Sequence, residues 1–260
     1  MLLNIWNIRK DLRRIKIRNV KVFADIADYD SMVELCKNPI IEGFTTNPTL
    51  MKKAGITDYK DFALKVMSSL RELKPNGCLS LEVFADDVVE MNEQAMKISS
   101  WGKDIGYKVF IKIPVHNTTG DSMNDLIKRL GDKEISVNVT AVFTPRQVID
   151  VLGAIVQNPK VSNILSVFCG RISDAGQDAE DLMEQYVDVR NNLNPQVEML
   201  WASTREVFNY VQADRIGCDI ITMTPDLIKK INGIGRHLRL VSLDTIKMFR
   251  DDAVSSGFNI

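Results

Sequence analysis

A regular alternation of two local patterns runs through most of the chain and constrains its fold more than any other feature. From Val20 onward, a short β-branched or aromatic run, a turn and a longer helical pattern follow one another eight times. Several of the short runs are apolar on both faces, as parallel strands are when helices cover both sides of a sheet. The predicted strands are Val20–Ala27, Gly43–Asn47, Leu79–Ala85, Lys108–Val115, Ser136–Phe143, Ile164–Arg171, Val197–Ser203 and Asp219–Thr224.

The segments between the predicted strands carry helix signals. Tyr59–Leu73 groups its apolar residues towards one side, and Thr144-Pro145 and Thr224-Pro225 each place a capping residue before a proline. A linker rich in Pro, Gly or Ser is missing between the units, so one closed barrel is favoured over an open sheet with a second domain. We therefore expect an α/β fold, a single (β/α)8 TIM barrel over residues 20–260.

Residues 1–19 form a basic amphipathic N-terminal extension in this prediction. They carry six basic side chains against one acidic side chain, a local charge of +5, with apolar residues interspersed. The apolar stretch is too short and too interrupted for a signal-peptide core or a transmembrane span. We favour an extra helix that closes one end of the fold, with a targeting peptide or a helix on a membrane surface as the alternative.

The composition excludes several classes of function. Lys and Arg total 33 and Asp and Glu total 34, so nothing points to nucleic acid as a partner. The four cysteines are scattered without a C-x-x-C pair, which favours reduced thiols and a cytoplasmic location. Two histidines cannot supply a three-histidine metal site, and no H-E-x-x-H helix exists. We therefore expect chemistry without a metal. We also expect no cofactor.

Polar residues interrupt the predicted strands or end them. In a barrel of this kind the chemistry lies at the carboxyl ends of the strands, so these residues are the candidates for a site. The eighth strand is expected to contribute none. The set is Asp25, Thr45, Thr46, Asn47, Glu82, Lys112, Asn138, Thr140, Ser166, Arg171, Ser203 and Arg205.

Lys112 is the sharpest of these candidates, because it stands in the otherwise apolar run Val109–Val115. Burial disfavours an ammonium and favours the neutral amine, which is the nucleophile that imine chemistry with a carbonyl substrate needs. The alternative is that Lys112 reaches solvent or pairs with a carboxylate for structural reasons alone.

Two acids and two arginines extend the candidate site. Glu82 and Asp25 each lie inside an apolar run, and two carboxylates in different surroundings can divide the roles of acid and base. Arg171 and Arg205 are expected to close their strands, where guanidinium groups suit a phosphate. The alternatives are a structural salt bridge to Lys112 for the acids and surface ion pairs for the arginines.

The order of these residues resembles the motifs of the transaldolase family over about residues 20 to 225, with one motif per strand. Single motifs are weak, but seven in the same order are a specific match. Val167 and Cys169 depart from the usual pattern, which leaves the acceptor preference open. The motifs are Phe23-Ala24-Asp25, Thr45-Thr46-Asn47-Pro48, Ser80-Leu81-Glu82-Val83, Ile111-Lys112-Ile113-Pro114, Asn138-Val139-Thr140, Ser166-Val167-Phe168-Cys169-Gly170-Arg171 and Ala202-Ser203-Thr204-Arg205.

The resemblance implies a class I, Schiff-base mechanism in a catalytic barrel domain. Lys112 attacks the C2 carbonyl of a ketose phosphate, and Glu82 moves protons through a water held by Thr140. Asp25 takes the C4 hydroxyl proton as the C3–C4 bond breaks. A dihydroxyacetone unit stays on the lysine as an enamine and then attacks an aldose phosphate, as in the pentose phosphate pathway. The implied substrate-binding residues are Thr46, Asn47, Asn138, Ser166, Phe168, Arg171, Ser203 and Arg205.

The resemblance also sets the alternatives. Transaldolases carry an acid and a phenylalanine where this chain has Glu82 and Phe168, whereas the similar fructose-6-phosphate aldolases carry glutamine and tyrosine and release free dihydroxyacetone. We expect the transferase, acting on sugar phosphates as a homo-oligomer, without nucleic acid and without an integral membrane segment. The rivals are such an aldolase and, more distantly, an idle sugar-phosphate binder or assembly component that docks through its basic amino terminus.

Overall fold

Eight parallel strands close into a barrel in the computed structural model, which describes residues 20–260 of the chain. Each strand pairs with the next in sequence, and the last pairs with the first, where Lys21 lies opposite Ile220. The predicted (β/α)8 fold is confirmed. The strands are β1 Lys21–Asp25, β2 Ile41–Thr45, β3 Cys78–Glu82, β4 Val109–Pro114, β5 Val137–Val142, β6 Asn163–Val167, β7 Val197–Trp201 and β8 Ile220–Met223.

Helices connect the strands, and most of them begin where the sequence places a capping side chain. Helix Tyr59–Leu73 has the predicted bounds, and the Thr144 hydroxyl accepts from the Gln147 backbone N–H at the start of another helix. A 3-10 turn covers Ile231–Gly233. The helices are α1 Tyr29–Cys36, α2 Pro48–Lys53, α3 Tyr59–Leu73, α4 Val88–Ile105, α5 Asn124–Asp132, α6 Pro145–Ala154, α7 Cys169–Asp174, α8 Ala179–Leu193, α9 Phe208–Arg215, α10 Pro225–Lys230 and α11 Leu238–Ser255.

The predicted sixth strand is too long at its carboxyl end. Strand β6 stops at Val167, and α7 begins at Cys169, so Arg171 lies on a helix rather than at the end of a strand. The apolar run Val167–Cys169 is compatible with either structure. The chain turns because the backbone N–H of Ile172 donates to the Phe168 carbonyl at 3.0 Å, which starts a helical turn.

Large apolar side chains fill the interior of the barrel. Phe23, Phe110, Ile164, Leu200 and Ile220 are all buried in one cluster. Gly43 makes room for this cluster, since a Cβ there would lie 2.8 Å from the Phe23 ring. The barrel is therefore a packed core rather than a pore, which leaves the carboxyl end of the strands for a site.

The described residues divide into two compact units, of which one is the barrel through Ile228 and the other is Lys229–Ile260. Helix α11 in the second unit has no buried residue. The predicted N-terminal extension, residues 1–19, lies outside the described residues. Among residues 20–260, no helix combines the length and the apolarity that crossing a membrane requires.

Candidate functional site

A cavity of about 540 Å³ opens where the strands end. Eleven of the thirteen predicted site residues line its wall, and only Thr46 and Asn138 lie behind it. The sequence had also not singled out Lys53 on this wall. The lining residues from the prediction are Asp25, Thr45, Asn47, Glu82, Lys112, Thr140, Ser166, Phe168, Arg171, Ser203 and Arg205.

Lys112 and Glu82 form the centre of this cavity. They are direct partners in the parallel register of β3 and β4, so their side chains share one face of the sheet, and both line the cavity. The Lys112 ammonium lies 2.9 Å from Oε2 of Glu82 and donates to the Thr46 carbonyl at 2.8 Å. Lys112 is only 6% exposed, so the alternative in which its ammonium reaches solvent is wrong. The ion pair of Lys112 with the Glu82 carboxylate is present, and it holds the amine at the base of the cavity.

Tyr59 supports the backbone at Glu82, and the sequence had not singled it out. Its hydroxyl donates to the Glu82 carbonyl at 2.8 Å, while its ring packs against Phe84 with centroids 5.3 Å apart. Burial, with a further contribution from the Glu82 charge, raises the pKa of Tyr59 and keeps it a neutral donor. The end of β3 is thereby held from the side of α3.

Asp25, at the end of β1, lies on the cavity wall. The Thr45 hydroxyl donates to Oδ1 of Asp25 at 2.8 Å. Burial raises the pKa of Asp25, opposed by the positive charge of Lys112 and by the Thr45 hydrogen bond and reinforced by the Glu82 charge. The carboxyl therefore holds its proton more tightly than a free aspartate does.

Strand β8 also contributes a polar side chain, contrary to prediction. Thr222 is 5% exposed, lines the cavity and lies 2.6 Å, oxygen to oxygen, from the Thr45 hydroxyl. In the run Ile220–Met223 a threonine is indistinguishable from the β-branched residues that strands favour. The signal that identifies it is its register opposite Phe23, whose side chain packs inside the barrel.

A second buried chain of hydrogen bonds lies across β3, β5 and β6. The Ser166 hydroxyl donates to Oδ1 of Asn138 at 2.6 Å, and Nδ2 of Asn138 donates to Oγ of Ser80 at 3.1 Å. The Thr46 hydroxyl donates to the Ser80 carbonyl at 3.2 Å. Asn138 and Thr46 thus orient their neighbours from behind the wall, and Ser166 is the member that reaches the cavity.

Thr140 and Ala141 lie at a break in the pairing of β5 with β6. The register shifts between Val139 and Val142, and Ala141 has φ +59°, a left-handed conformation that a non-glycine residue adopts at a cost of about 1–2 kcal/mol. Strain of this kind is concentrated at functional sites. The buried Thr140 hydroxyl has no hydrogen-bond partner among the described residues, so its capacity is free for a ligand or a water.

The opposite wall holds the two predicted arginines. Arg171, on α7, lies 5.6 Å from the ring centroid of Phe168, which in turn packs against Phe143 at 5.7 Å. Arg205 follows β7 and forms a two-point ion pair with Asp174 of α7, with Nε 3.1 Å from both carboxylate oxygens. It also donates through one terminal nitrogen to the Ser203 carbonyl at 3.0 Å.

Gly170 allows this wall to form. A Cβ at position 170 would lie 1.6 Å from the Ser203 carbonyl oxygen, so α7 and the β7 loop approach each other more closely than any other residue permits. Ser203 itself has φ +64°. The sequence shows this glycine, but the contact that requires it depends on the barrel.

The described part of the chain shows no metal centre and no disulfide. No group of three or more His, Cys, Asp or Glu side chains there has the geometry to hold a metal ion. All four cysteines are free and buried. Burial raises the pKa of Cys78 and Cys218 to about 12, which keeps these thiols protonated and unreactive.

Comparison with known proteins, by structure and by sequence, places the chain in a family. A solved structure, the thiamine phosphate pyrophosphorylase of Pyrococcus furiosus, matches with a TM-score of 0.50 at 10% identity over 82% of this chain and 88% of that chain, and supports the fold alone. Proteins named "Probable transaldolase" are similar in sequence. The one from Dehalococcoides mccartyi is 31% identical over 78% of this chain and 86% of its own.

Two further relatives of the same name cover similar lengths. The protein from Nitrosopumilus maritimus is 30% identical over 82% of this chain and 87% of its own, and that from Ruegeria sp. is 32% identical over 82% and 88%. The model of the transaldolase/fructose-6-phosphate aldolase family matches residues 22–259. The family resemblance of the motifs is confirmed, and the chain belongs to the transaldolase/fructose-6-phosphate aldolase family.

Proposed function

We propose that this protein is a transaldolase-type transferase that moves a dihydroxyacetone unit from a ketose phosphate to an aldose phosphate through an imine on Lys112. The observation that carries the proposal is the buried Lys112 amine at the base of the cavity, 2.9 Å from the Glu82 carboxylate. Donors such as fructose 6-phosphate and sedoheptulose 7-phosphate, and a place in the pentose phosphate pathway, belong to the proposal. The names of the relatives support the transferase.

The first step needs a neutral amine and a place for its proton. At 2.9 Å from Nζ, the Glu82 carboxylate is close enough to take that proton directly. The amine then adds to the C2 carbonyl and forms a carbinolamine. Glu82 returns the proton to the carbinolamine hydroxyl, which leaves as water while the nitrogen lone pair forms the imine. The Thr140 hydroxyl, which has no hydrogen-bond partner among the described residues, can bind a water that carries this proton.

Asp25 is the base of the second step. It removes the proton of the C4 hydroxyl, the C3–C4 bond breaks, and its electron pair moves into the protonated imine to give an enamine. The aldose fragment leaves with the new C4 carbonyl. The raised pKa of Asp25 suits this role, because the carboxyl must accept a proton here and return it when the acceptor aldose is attacked.

Polar groups on the wall hold the two ends of the substrate in this proposal. Asn47 and Ser166 bind hydroxyl groups of the three-carbon unit, with Asn138 orienting Ser166. Arg171 and Arg205 bind the phosphate. Asp174 and Ser203 occupy three of the five N–H groups of Arg205, which fixes the plane of the guanidinium and leaves two for the ligand.

The second candidate is an aldolase that releases free dihydroxyacetone, and Phe168 argues against it. Release requires water to attack the imine after a proton is delivered to carbon. The Phe168 ring lies on the wall beside Arg171 and offers no hydroxyl for that water. The enamine should therefore persist until an aldose arrives.

Trapping the imine tests the proposal. Reduction with borohydride in the presence of fructose 6-phosphate should add a dihydroxyacetone-derived mass to the Lys112 peptide, and Lys112→Met should abolish it. Lys53 also lines the cavity and is the control lysine, on which we expect no label. Label on Lys53, or none, would refute the mechanism. Faster release of dihydroxyacetone than transfer to erythrose 4-phosphate would favour the aldolase.

A further inference from the structure

Three side chains on neighbouring strands form a chain of hydrogen bonds that ends at the proposed base. Thr222 on β8, Thr45 on β2 and Asp25 on β1 meet inside the barrel, with oxygens 2.6 Å and 2.8 Å apart. Thr45 and Thr222 are 3% and 5% exposed, so water has little access to these bonds. The arrangement depends on barrel closure, because β8 reaches β1 only by pairing across the seam.

The direction of the chain follows from counting protons. A threonine hydroxyl has one proton, and that of Thr45 is donated to Oδ1 of Asp25. In its 2.6 Å bond with Thr222, the Thr45 oxygen must therefore accept, and Thr222 must donate. Thr222 thereby holds the Thr45 hydroxyl in the rotamer that faces the carboxylate.

We propose that Thr222 is a positioning residue, which acts through Thr45 to orient and stabilise the ionised carboxylate of Asp25 for carbon–carbon bond cleavage. The inference rests on the proposed function for what Asp25 does, but the hydrogen-bond chain itself is independent of the substrate. Thr222 touches no reacting atom in this scheme. Its effect is confined to the step that Asp25 performs and does not extend to imine formation at Lys112.

The pH dependence follows from the groups around Asp25. Lys112 on β4 and the Thr45 hydrogen bond lower the pKa of Asp25, whereas burial and Glu82 on β3 raise it. The more distant cations that line the same cavity are Lys53, Arg171 and Arg205. Hydrogen bonds in a chain polarise one another by roughly 10–30% per bond, so loss of Thr222 weakens the bond to the ionised form and raises the pKa.

The experiment compares Thr222→Val, which has nearly the same shape without the hydroxyl, with Thr222→Ser, which retains the donor. For Thr222→Val we expect the acidic limb of kcat/KM to move up by about half a pH unit and transfer to slow about 3–10-fold. Total borohydride trapping at Lys112, counted as the fructose 6-phosphate adduct and the dihydroxyacetone adduct together, should remain at the wild-type level. Thr222→Ser should have the pH profile and the transfer rate of the wild type. Ile220→Val, on the same strand, controls for loss of packing.

A measurement on the free protein separates this inference from the proposed function. The Asp25 carboxyl is titrated by ¹³C NMR in wild type and Thr222→Val, with Asp25→Asn to assign its signal. An Asp25 pKa that is higher in Thr222→Val than in wild type supports the proposed hydrogen-bond chain, even if the wild type transfers no sugar and traps no imine. An unchanged Asp25 titration, or a Thr222→Ser variant as impaired as Thr222→Val, would overturn it.

Discussion

Replacement of Gly170 by alanine would test whether the close contact between α7 and the β7 loop builds the phosphate end of the site. The added Cβ would lie 1.6 Å from the Ser203 carbonyl oxygen, whereas Cβ atoms essentially never lie within 3.0 Å of another heavy atom. The backbone must therefore move by at least 1.4 Å, the difference between these distances. Because Arg205 donates to the same carbonyl, its guanidinium should move with the loop.

The expected magnitude has a structural and a catalytic part. Overpacking of this kind costs about 1–3 kcal/mol of unfolding free energy. A displacement of about 1 Å at a binding group can lower the rate about 100-fold. We therefore expect kcat/KM for phosphorylated acceptors to fall by about two orders of magnitude, with a smaller loss for unphosphorylated glyceraldehyde.

Gly153→Ala provides the matched control. Gly153 lies in helix α6, and its added Cβ would meet nothing within 4 Å. This variant should gain about 0.4–1 kcal/mol of stability, because alanine restricts the unfolded chain more than glycine does. Urea unfolding and initial-rate assays on both variants give the comparison. If Gly170→Ala matches Gly153→Ala in stability and activity, the close contact does not constrain the site.

Three further predictions concern single side chains of the site. Arg171→Ala or Arg205→Ala should cost about 2–4 kcal/mol in kcat/KM for phosphorylated substrates and much less for unphosphorylated ones, and an equal loss for both would indicate a structural role. Phe168→Tyr should shift the products of fructose 6-phosphate towards free dihydroxyacetone in a two-product assay, and an unchanged ratio would count against the role of this ring. Burial raises the pKa of Asp25 above the ordinary 3.8, so the wild type loses stability as the pH rises through the raised value. Asp25→Asn should therefore gain in unfolding free energy relative to wild type from pH 4 towards neutrality, and a constant difference would contradict this.

Local patterns predicted the elements well where packing and propensity agree. Helix α3 has its predicted bounds, because its capping aspartate and apolar stripe lie within one local segment. The prediction that the sixth strand extends to Arg171 was wrong, because the local residues are compatible with a strand and with a helix. The helical turn there depends on Gly170 packing against Ser203, which is 33 positions further along the chain.

Chemically unusual residues could be recognised without any structure, because a lysine or a carboxylate inside an apolar run is costly unless it has a purpose or a partner. Lys112, Glu82 and Asp25 belong to this group. Threonine carries no such signal, because it favours strands whether or not its hydroxyl is used. Thr222 was missed for that reason.

The eight βα units, the family and most polar residues of the cavity wall follow from the sequence, because these depend on periodicity and on residue type. Which groups touch depends on how the strands pair in the folded barrel. This pairing joins Lys112 to Glu82 through the register of β3 and β4, and Thr222 to Asp25 through the closure of β8 on β1. Hydrogen bonds require atoms to come within about 3 Å, and strands far apart in the chain reach that distance only when the barrel closes.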